Sequence, residues 1–195
     1  VVYLPPSVVA LGVMSYTDSI NGPWFAPAGF TSGGLSTGLT GIPVLNATLR
    51  LSSKNRDNLY ENRINPIASF PSEGVVVFGQ KTLQVTRSAL DRINVRRMLI
   101  YVKRQISMIA AGLLFEPNVQ NTWSRFIASA TPMLIDVQQR FGIQEYKLVL
   151  DDTTTTPDLI DQNIMYAKLF IKPTRAIEFI AVDFFITNTG ASFED

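Results

Sequence analysis

The stretch from Thr86 to Phe115 most constrains what this chain can fold into. Apolar residues recur in it every three or four positions, a spacing that places them on one face of an α-helix. These residues are Val95, Leu99, Val102, Ile106, Ile109 and Leu113. Ser88 followed by Asp91 has the pattern of a capping box, and Glu116-Pro117 favours a helix end. The sequence therefore predicts one long amphipathic helix over about residues 88–115.

The same helix concentrates the positive charge of the chain. The protein has 17 basic and 16 acidic residues, yet only Asp91 is acidic between Lys81 and Arg104. The basic residues of that segment are Lys81, Arg87, Arg92, Arg96, Arg97, Lys103 and Arg104. Such a surface attracts and orients an acidic partner. Two alternatives remain open: pairing with carboxylates of the same fold, and contact of residues 87–104 with nucleic-acid phosphates.

The composition argues against an enzyme. The chain contains no histidine and no cysteine, which excludes disulfides, thiolate nucleophiles, Ser-His-Asp triads and Cys/His zinc sites. Four aspartates, at 151, 152, 158 and 161, surround a Thr-rich loop but lack the spacing of a calcium-binding loop. We therefore predict no catalytic, cofactor or metal site. No apolar run approaches the roughly 20 residues of a membrane span, so membrane insertion is not expected either.

Patterning along the chain predicts an α+β fold of one domain in three parts. Residues 1–29 read as a helix and an extended segment with Trp24 as a core anchor, and residues 30–62 as a loop-rich connection. The core then occupies residues 63–195, with a small mixed β-sheet packed on two or three helices. Predicted strands cover residues 75–79, 146–150, 164–171 and 176–187. Pro132 interrupts a helical pattern over residues 123–141, which predicts a kink or two helices.

The predicted strand from Ala176 to Thr187 is apolar on both faces. One face carries Ile177 and Phe179, and the other carries Ile180, Val182, Phe184 and Ile186. An exposed strand of this kind would invite aggregation, so it suits a sheet that other chains complete. We predict inter-subunit sheet contacts at Ile177, Phe179, Ile180, Val182, Phe184 and Ile186.

Several short motifs occur in order along nearly the whole chain. They are Pro5-Pro6-Ser7, Trp24-x-Ala26-Pro27-Ala28-Gly29, Asn65-Pro66-Ile67, Phe70-Pro71-x-x-Gly74, the run Val77 to Leu83, Ile93 to Arg97, Phe115 to Asn118, Thr122-Trp123, and Pro173 before Ile177 to Ile180. Together they resemble the contractile tail sheath proteins of phages and phage-like particles. Phe78 and Lys81 depart from the Trp and Arg common in that family.

The resemblance implies a structural subunit of the virion's tail that polymerises helically around a tail tube. Contraction would drive the tube through the host envelope for genome ejection, without nucleotide hydrolysis or any cofactor. Implied partners are other sheath subunits, the tube protein, the baseplate and the tail terminator, with no direct nucleic acid. Terminal arms would add strands to a neighbour's sheet, and the C-terminal domain would face the tube.

Two further expectations concern contacts and extent. We predict that the tube-facing residues are Arg87, Arg92, Arg96, Arg97, Lys103 and Arg104. The chain begins with Val1-Val2 rather than Met, so we expect a fragment that lacks at least one arm and is monomeric.

Overall fold

The computed structural model describes residues 1–38 and 40–182. The helices are α1 (Pro6–Ile20), α2 (Gly29–Ser32), α3 (Ser53–Glu61), α4 (Ile93–Ala111), α5 (Gln120–Gln139) and α6 (Pro157–Asp161). The strands are β1 (Ile67–Phe70), β2 (Gly74–Val77), β3 (Ile143–Val149) and β4 (Lys168–Pro173). The predicted α+β class is confirmed. The strands form two separate antiparallel pairs, β1–β2 and β3–β4, rather than one mixed sheet, because each strand pairs with its neighbour in the chain.

The N-terminal half packs α1 against the β1–β2 hairpin. Val13 of α1, Leu35, Val75 and Val77 form its buried core. Part of the predicted loop-rich connection joins this core through Leu35, and the Val77 amide donates to the carbonyl of Gly33 at 2.8 Å. A Cβ atom at Gly33 would lie 2.5 Å from that Val77 carbonyl oxygen, so only glycine lets the two segments approach.

The C-terminal half packs α4 and α5 together beneath the β3–β4 hairpin. Its two buried clusters contain Val95, Met98, Val102, Leu134, Val137 and Ile143, and Trp123, Phe126 and Leu150. Trp24 joins the first of these clusters from the N-terminal half. Its indole N–H donates to the Arg140 carbonyl at 2.8 Å, and its ring meets Tyr101 edge to face at 5.7 Å. Trp24 therefore ties the two halves together, and its predicted role as a core anchor is confirmed.

The long helix is shorter than the predicted range of 88–115. Ser88 and Asp91 form a turn before it, in which the Asp91 amide donates to the Ser88 carbonyl at 3.4 Å, so the predicted capping box is wrong. The Ile93 amide donates to the Gln80 carbonyl at 2.8 Å, which satisfies an N-terminal donor of α4 from a distant loop. The helix ends at Ala111, before Glu116-Pro117, with Gly112 as its C-cap.

Two other predicted boundaries also change. Helix α5 runs continuously through Pro132, which lies on its exposed side, while Ala130, Leu134 and Val137 on the other side are fully buried. The buried face therefore holds the segment as one helix, so of the two predicted alternatives, a kink or two helices, the division into two is wrong. The strand predicted from residue 164 begins only at Lys168.

The predicted strand at 176–187 is not formed within the described part of it. Residues 174–182 have no regular secondary structure, and the remaining predicted residues lie outside the described ranges. A strand needs a neighbouring strand for its hydrogen bonds, and the described residues place none beside residues 176–182.

Candidate assembly interfaces

Helix α4 presents a positively charged face to solvent. Arg96, Lys103 and Arg104 are exposed on it, while Val95, Met98 and Val102 on the opposite side are buried. Residues 96 and 103 are two turns apart, roughly 10 Å along the helix axis. Within residues 1–38 and 40–182, these three cations make no salt bridge. We call Arg96, Lys103 and Arg104 the basic face.

The other three predicted contact residues have different surroundings. Arg97 pairs with Asp18 of α1 at 2.5 Å, and Arg92 pairs with Asp91 at 3.2 Å and with Glu178 at 2.6 Å. Arg87 lies exposed in the loop before α4. Two of the six predicted contact residues, Arg92 and Arg97, therefore form intramolecular salt bridges. Fewer cations are then available to a tube or to nucleic-acid phosphates. Which cations contact a partner stays a prediction.

The segment after β4 exposes large apolar side chains. Ile177, Phe179 and Ile180 are 81–83% exposed and Val182 is 60% exposed, while Phe184 and Ile186 lie outside the described residues. At the other end of the chain, Val1, Val2 and Tyr3 are at least 81% exposed. Exposed large apolar side chains such as these are typical of surfaces that bind a partner. Both ends of the described chain therefore carry surface that suits a partner.

The β3–β4 hairpin leaves its edges open. Tyr146 pairs with Ile171 and Leu148 with Leu169, and no third strand joins this pair in the described ranges. Open edges carry unpaired amide and carbonyl groups that another strand can satisfy. A two-stranded sheet is also marginally stable alone, and here the α4–α5 layer supports it from one side.

A polar cluster connects the segment after β4 to the start of α4. The Glu178 carboxylate accepts from Arg92 Nε at 2.6 Å, from Arg92 Nη2 at 2.8 Å and from Gln80 Nε2 at 3.4 Å. Burial acts to raise the pKa of Glu178, but hydrogen bonds from Arg92 and Tyr60 outweigh it and leave the pKa below its ordinary value. Burial, and then the Glu178 hydrogen bond, raise the pKa of Tyr60.

These exposed faces and open edges are suited to binding. Among the described residues, no group of three or more acidic side chains is placed to hold a metal ion, and no helix is long and apolar enough to cross a membrane. A groove of about 250 Å³ lies beside the Glu178 cluster, lined by residues of α3, the loop after β2 and residues 176–179.

Sequence reasoning missed the two ion pairs that cross the fold. Arg97 and Asp18 are 79 positions apart, and Arg92 and Glu178 are 86 positions apart. It also missed an aromatic cluster of Phe30, Phe70 and Phe78, whose ring centroids lie 5.0–5.5 Å apart. No local pattern signals such contacts, since each depends on how distant segments meet.

Comparison with known proteins decides the family. The family model for the phage tail sheath C-terminal domain matches residues 85–187. The chain belongs to this phage tail sheath family. It is 37% identical over 184 residues, 94% of this chain, to the tail sheath protein of Vibrio phage KVP40. It is also 33% identical over 193 residues, 99% of this chain, to the tail sheath protein of Enterobacteria phage T4. The predicted family resemblance is thereby confirmed.

Solved structures with the same fold come from contractile particles. One is the anti-feeding prophage baseplate, with a TM-score of 0.83 and 27% identity over 95% of this chain. Another is the sheath complex of an extracellular contractile injection system, PVC, in its contracted state, with a TM-score of 0.83 and 29% identity over 94% of this chain. The chain spans about half of those chains' length. It spans only 26% and 28% of the two phage tail sheath relatives.

Proposed function

We propose that this chain is the part of a tail sheath subunit that links neighbouring subunits around a rigid tail tube. The subunits polymerise helically in the phage tail, and contraction of the sheath drives the tube through the host envelope for genome ejection. Support comes from the tail sheath relatives and from the contracted sheath complex that shares this fold. The observation that carries the proposal is the exposed apolar segment 177–182 on a chain whose β3–β4 hairpin has open edges.

Subunits are linked by strand addition. The segment after β4 stays held to its own body at Glu178, and its exposed apolar residues and the backbone beyond pair with the open hairpin edge of a neighbour, whose backbone groups they satisfy. Burying one large apolar side chain contributes about 1.5–3 kcal/mol, and each backbone hydrogen bond adds about 1 kcal/mol. Four exposed apolar residues, Ile177, Phe179, Ile180 and Val182, are then enough to hold neighbours together while rings rotate past one another.

The basic face of α4 meets the tube. Tube protein, baseplate and tail terminator are the proposed partners beyond the sheath itself. The energy for contraction is stored in subunit contacts at assembly, so the subunit is a mechanical protein rather than an enzyme. This role agrees with a chain that has no histidine and no cysteine.

Electron microscopy of the native full-length protein tests strand addition. Concentrated wild-type protein should form long striated tubes. The double substitution Ile177→Asp and Phe179→Asp should abolish them, because charged side chains oppose burial in a neighbour's sheet. Both side chains are more than 80% exposed, so the free energy of unfolding should change by less than about 0.5 kcal/mol.

Leu83→Asp with Val85→Asp is the matched control. Leu83 is 86% exposed and Val85 is 78% exposed, but both lie in the loop before α4. We expect this control to assemble as the wild type does. Equal tube formation by the Ile177/Phe179 variant would reject strand addition by this segment.

A further inference from the structure

Glu178 behaves differently from its neighbours in the segment after β4. The side chain of Glu178 is only 15% exposed, whereas the flanking Ile177 and Phe179 are 83% and 81% exposed. The backbone here has no regular secondary structure. Side-chain contacts of Glu178 therefore hold the segment at this point.

The contacts of Glu178 have the geometry of a specific binding site for a carboxylate. Arg92 donates hydrogen bonds to both carboxylate oxygens, with Nε–Oε1 at 2.6 Å and Nη2–Oε2 at 2.8 Å. Such bidentate pairs are stronger and more directional than a single ionic contact. Gln80 Nε2 adds a third donor at 3.4 Å. Gln80 is 3% exposed, and its own Oε1 has no hydrogen-bond partner in the described part of the chain, so its amide is oriented toward the carboxylate.

Hydrogen bonds that do not involve Glu178 hold the backbone of the two donor residues. Gln80 and Arg92 are held side by side by the hydrogen bonds Ile93 N to Gln80 O, at 2.8 Å, and Thr82 N to Asp91 O, at 3.0 Å. The side chain of Asn65 fixes the same loop, accepting from Lys81 N at 2.7 Å and donating to Lys81 O at 2.9 Å.

Tyr60 completes the site from α3. The Lys81 ammonium lies 3.8 Å from the Tyr60 ring centroid and donates to the Tyr60 carbonyl at 2.7 Å. Tyr60, Gln80 and Glu178 all line the same groove. These contacts restrain the residues around the carboxylate, which reduces the ordering cost of binding it.

We propose that Tyr60, Gln80 and Arg92 form a carboxylate socket that anchors the C-terminal segment through Glu178 and ties it to the start of α4. Arg92 is the N-cap residue of α4, so a force on the C-terminal segment is transmitted through the Glu178–Arg92 contact to this helix. In a sheath, movement of the linked arm would then be passed to the helix that carries the basic face. This last consequence rests on the proposed function, whereas the anchoring does not.

A pair of spin labels measures the anchoring in the unassembled native protein. The chain has no cysteine, so Ile180→Cys and Ser107→Cys give two unique attachment points, one on the segment and one exposed on α4. Double electron–electron resonance should show one narrow distance distribution. Glu178→Gln in this background should broaden the distribution at least about twofold, because the carboxylate's charge-assisted bonds are lost.

Three further variants sharpen the test. Arg92→Gln should broaden the distances as Glu178→Gln does, and the double variant should be no broader than either alone, because both remove one interaction. Asp18→Asn breaks the separate Arg97 pair and should leave the distances unchanged. Circular dichroism confirms that each variant remains folded.

Three outcomes would overturn the anchoring. The first is a wild-type distribution that is already broad, and the second is a distribution that Glu178→Gln leaves narrow. The third is a narrow distance that disappears on dilution with unlabelled protein, because the socket would then hold Glu178 of a second copy. Since no assembled sheath is required, failure of the sheath proposal leaves this measurement interpretable.

Discussion

At the residue scale, Gly12 lies where α1 touches the loop at Thr40. A Cβ atom at position 12 would lie 2.2 Å from the Thr40 carbonyl oxygen, which is backbone and cannot rotate away. Replacing glycine by alanine within a helix normally gains up to about 1 kcal/mol. Here the clash reverses the sign, since overpacking costs about 1–3 kcal/mol.

Gly12→Ala should therefore lower the free energy of unfolding by about 1–2 kcal/mol, measured by urea denaturation. Gly34→Ala is the control, because nothing lies within 4 Å of a Cβ atom at that position. It should be neutral or slightly stabilising. A Gly12→Ala protein as stable as the wild type would show that α1 does not pack this closely on Thr40.

The Glu178 socket predicts a dependence of stability on pH. Because the folded pKa of Glu178 is lowered, its contribution is present above the unfolded pKa of about 4.3 and is lost as the pH falls through the folded value. Glu178→Gln should be less stable than wild type by about 1 kcal/mol at pH 7. That difference should shrink below about pH 4.

Urea denaturation at several pH values measures this difference. Glu73→Gln, an exposed carboxylate outside the socket, controls for the charge removed. A difference between Glu178→Gln and wild type that stays constant down to pH 3 would contradict a charged Glu178 in the socket.

At the scale of elements, α4 has a buried apolar face and a positively charged exposed face on opposite sides. Its buried face packs on α5 and the β3–β4 hairpin, and its exposed face carries Arg96, Lys103 and Arg104. The cations held by carboxylates are Arg92, at its N-cap, and Arg97, in its second turn. The charge open to a partner is thus carried by fewer residues of the helix than the sequence alone predicts.

Reversing two charges of the basic face tests its proposed contact with the tube. Arg96→Glu with Lys103→Glu should weaken cosedimentation with tail tubes at least tenfold at 0.15 M salt, and the effect should fall in 1 M salt as screening increases. Arg50→Glu with Lys54→Glu makes the same charge change at exposed positions away from α4 and should have little effect. Equal loss in both variants would indicate that net charge, not this face, governs binding.

At the scale of the whole molecule, the described chain has a buried interior and exposed apolar side chains at Val1, Val2 and Tyr3 and after β4. Trp24 fastens the N-terminal half to the α4–α5 layer, while the β1–β2 hairpin keeps a buried cluster of its own. The apolar residues at both ends and the open edges of β3–β4 remain uncovered. Neighbouring chains can supply both kinds of missing contact at once, because an apolar arm and an open sheet edge are complementary.

The long helix and the family could both be predicted from the amino-acid sequence. The period of Val95, Val102, Ile106 and Ile109 predicted the helix, and the ordered motifs from Pro5 to Ile180 predicted the family. These signals are readable because a helix face depends on residues three or four apart. The absence of histidine and cysteine likewise needed no structure to exclude triads, disulfides and Cys/His zinc sites.

Only the tertiary structure decided where α4 begins, which arginines are paired and how the strands combine. The start of α4 depends on the Gln80 carbonyl, and the partner of Arg92 lies 86 positions away. The strand predicted at 176–187 is not formed in residues 176–182, although the segment is apolar and β-branched as a strand would be, because its hydrogen-bonding groups have no neighbouring strand among residues 1–38 and 40–182. Local patterns fix which conformations a segment favours, but pairing of charges and strands depends on segments that only the folded or assembled chain brings together.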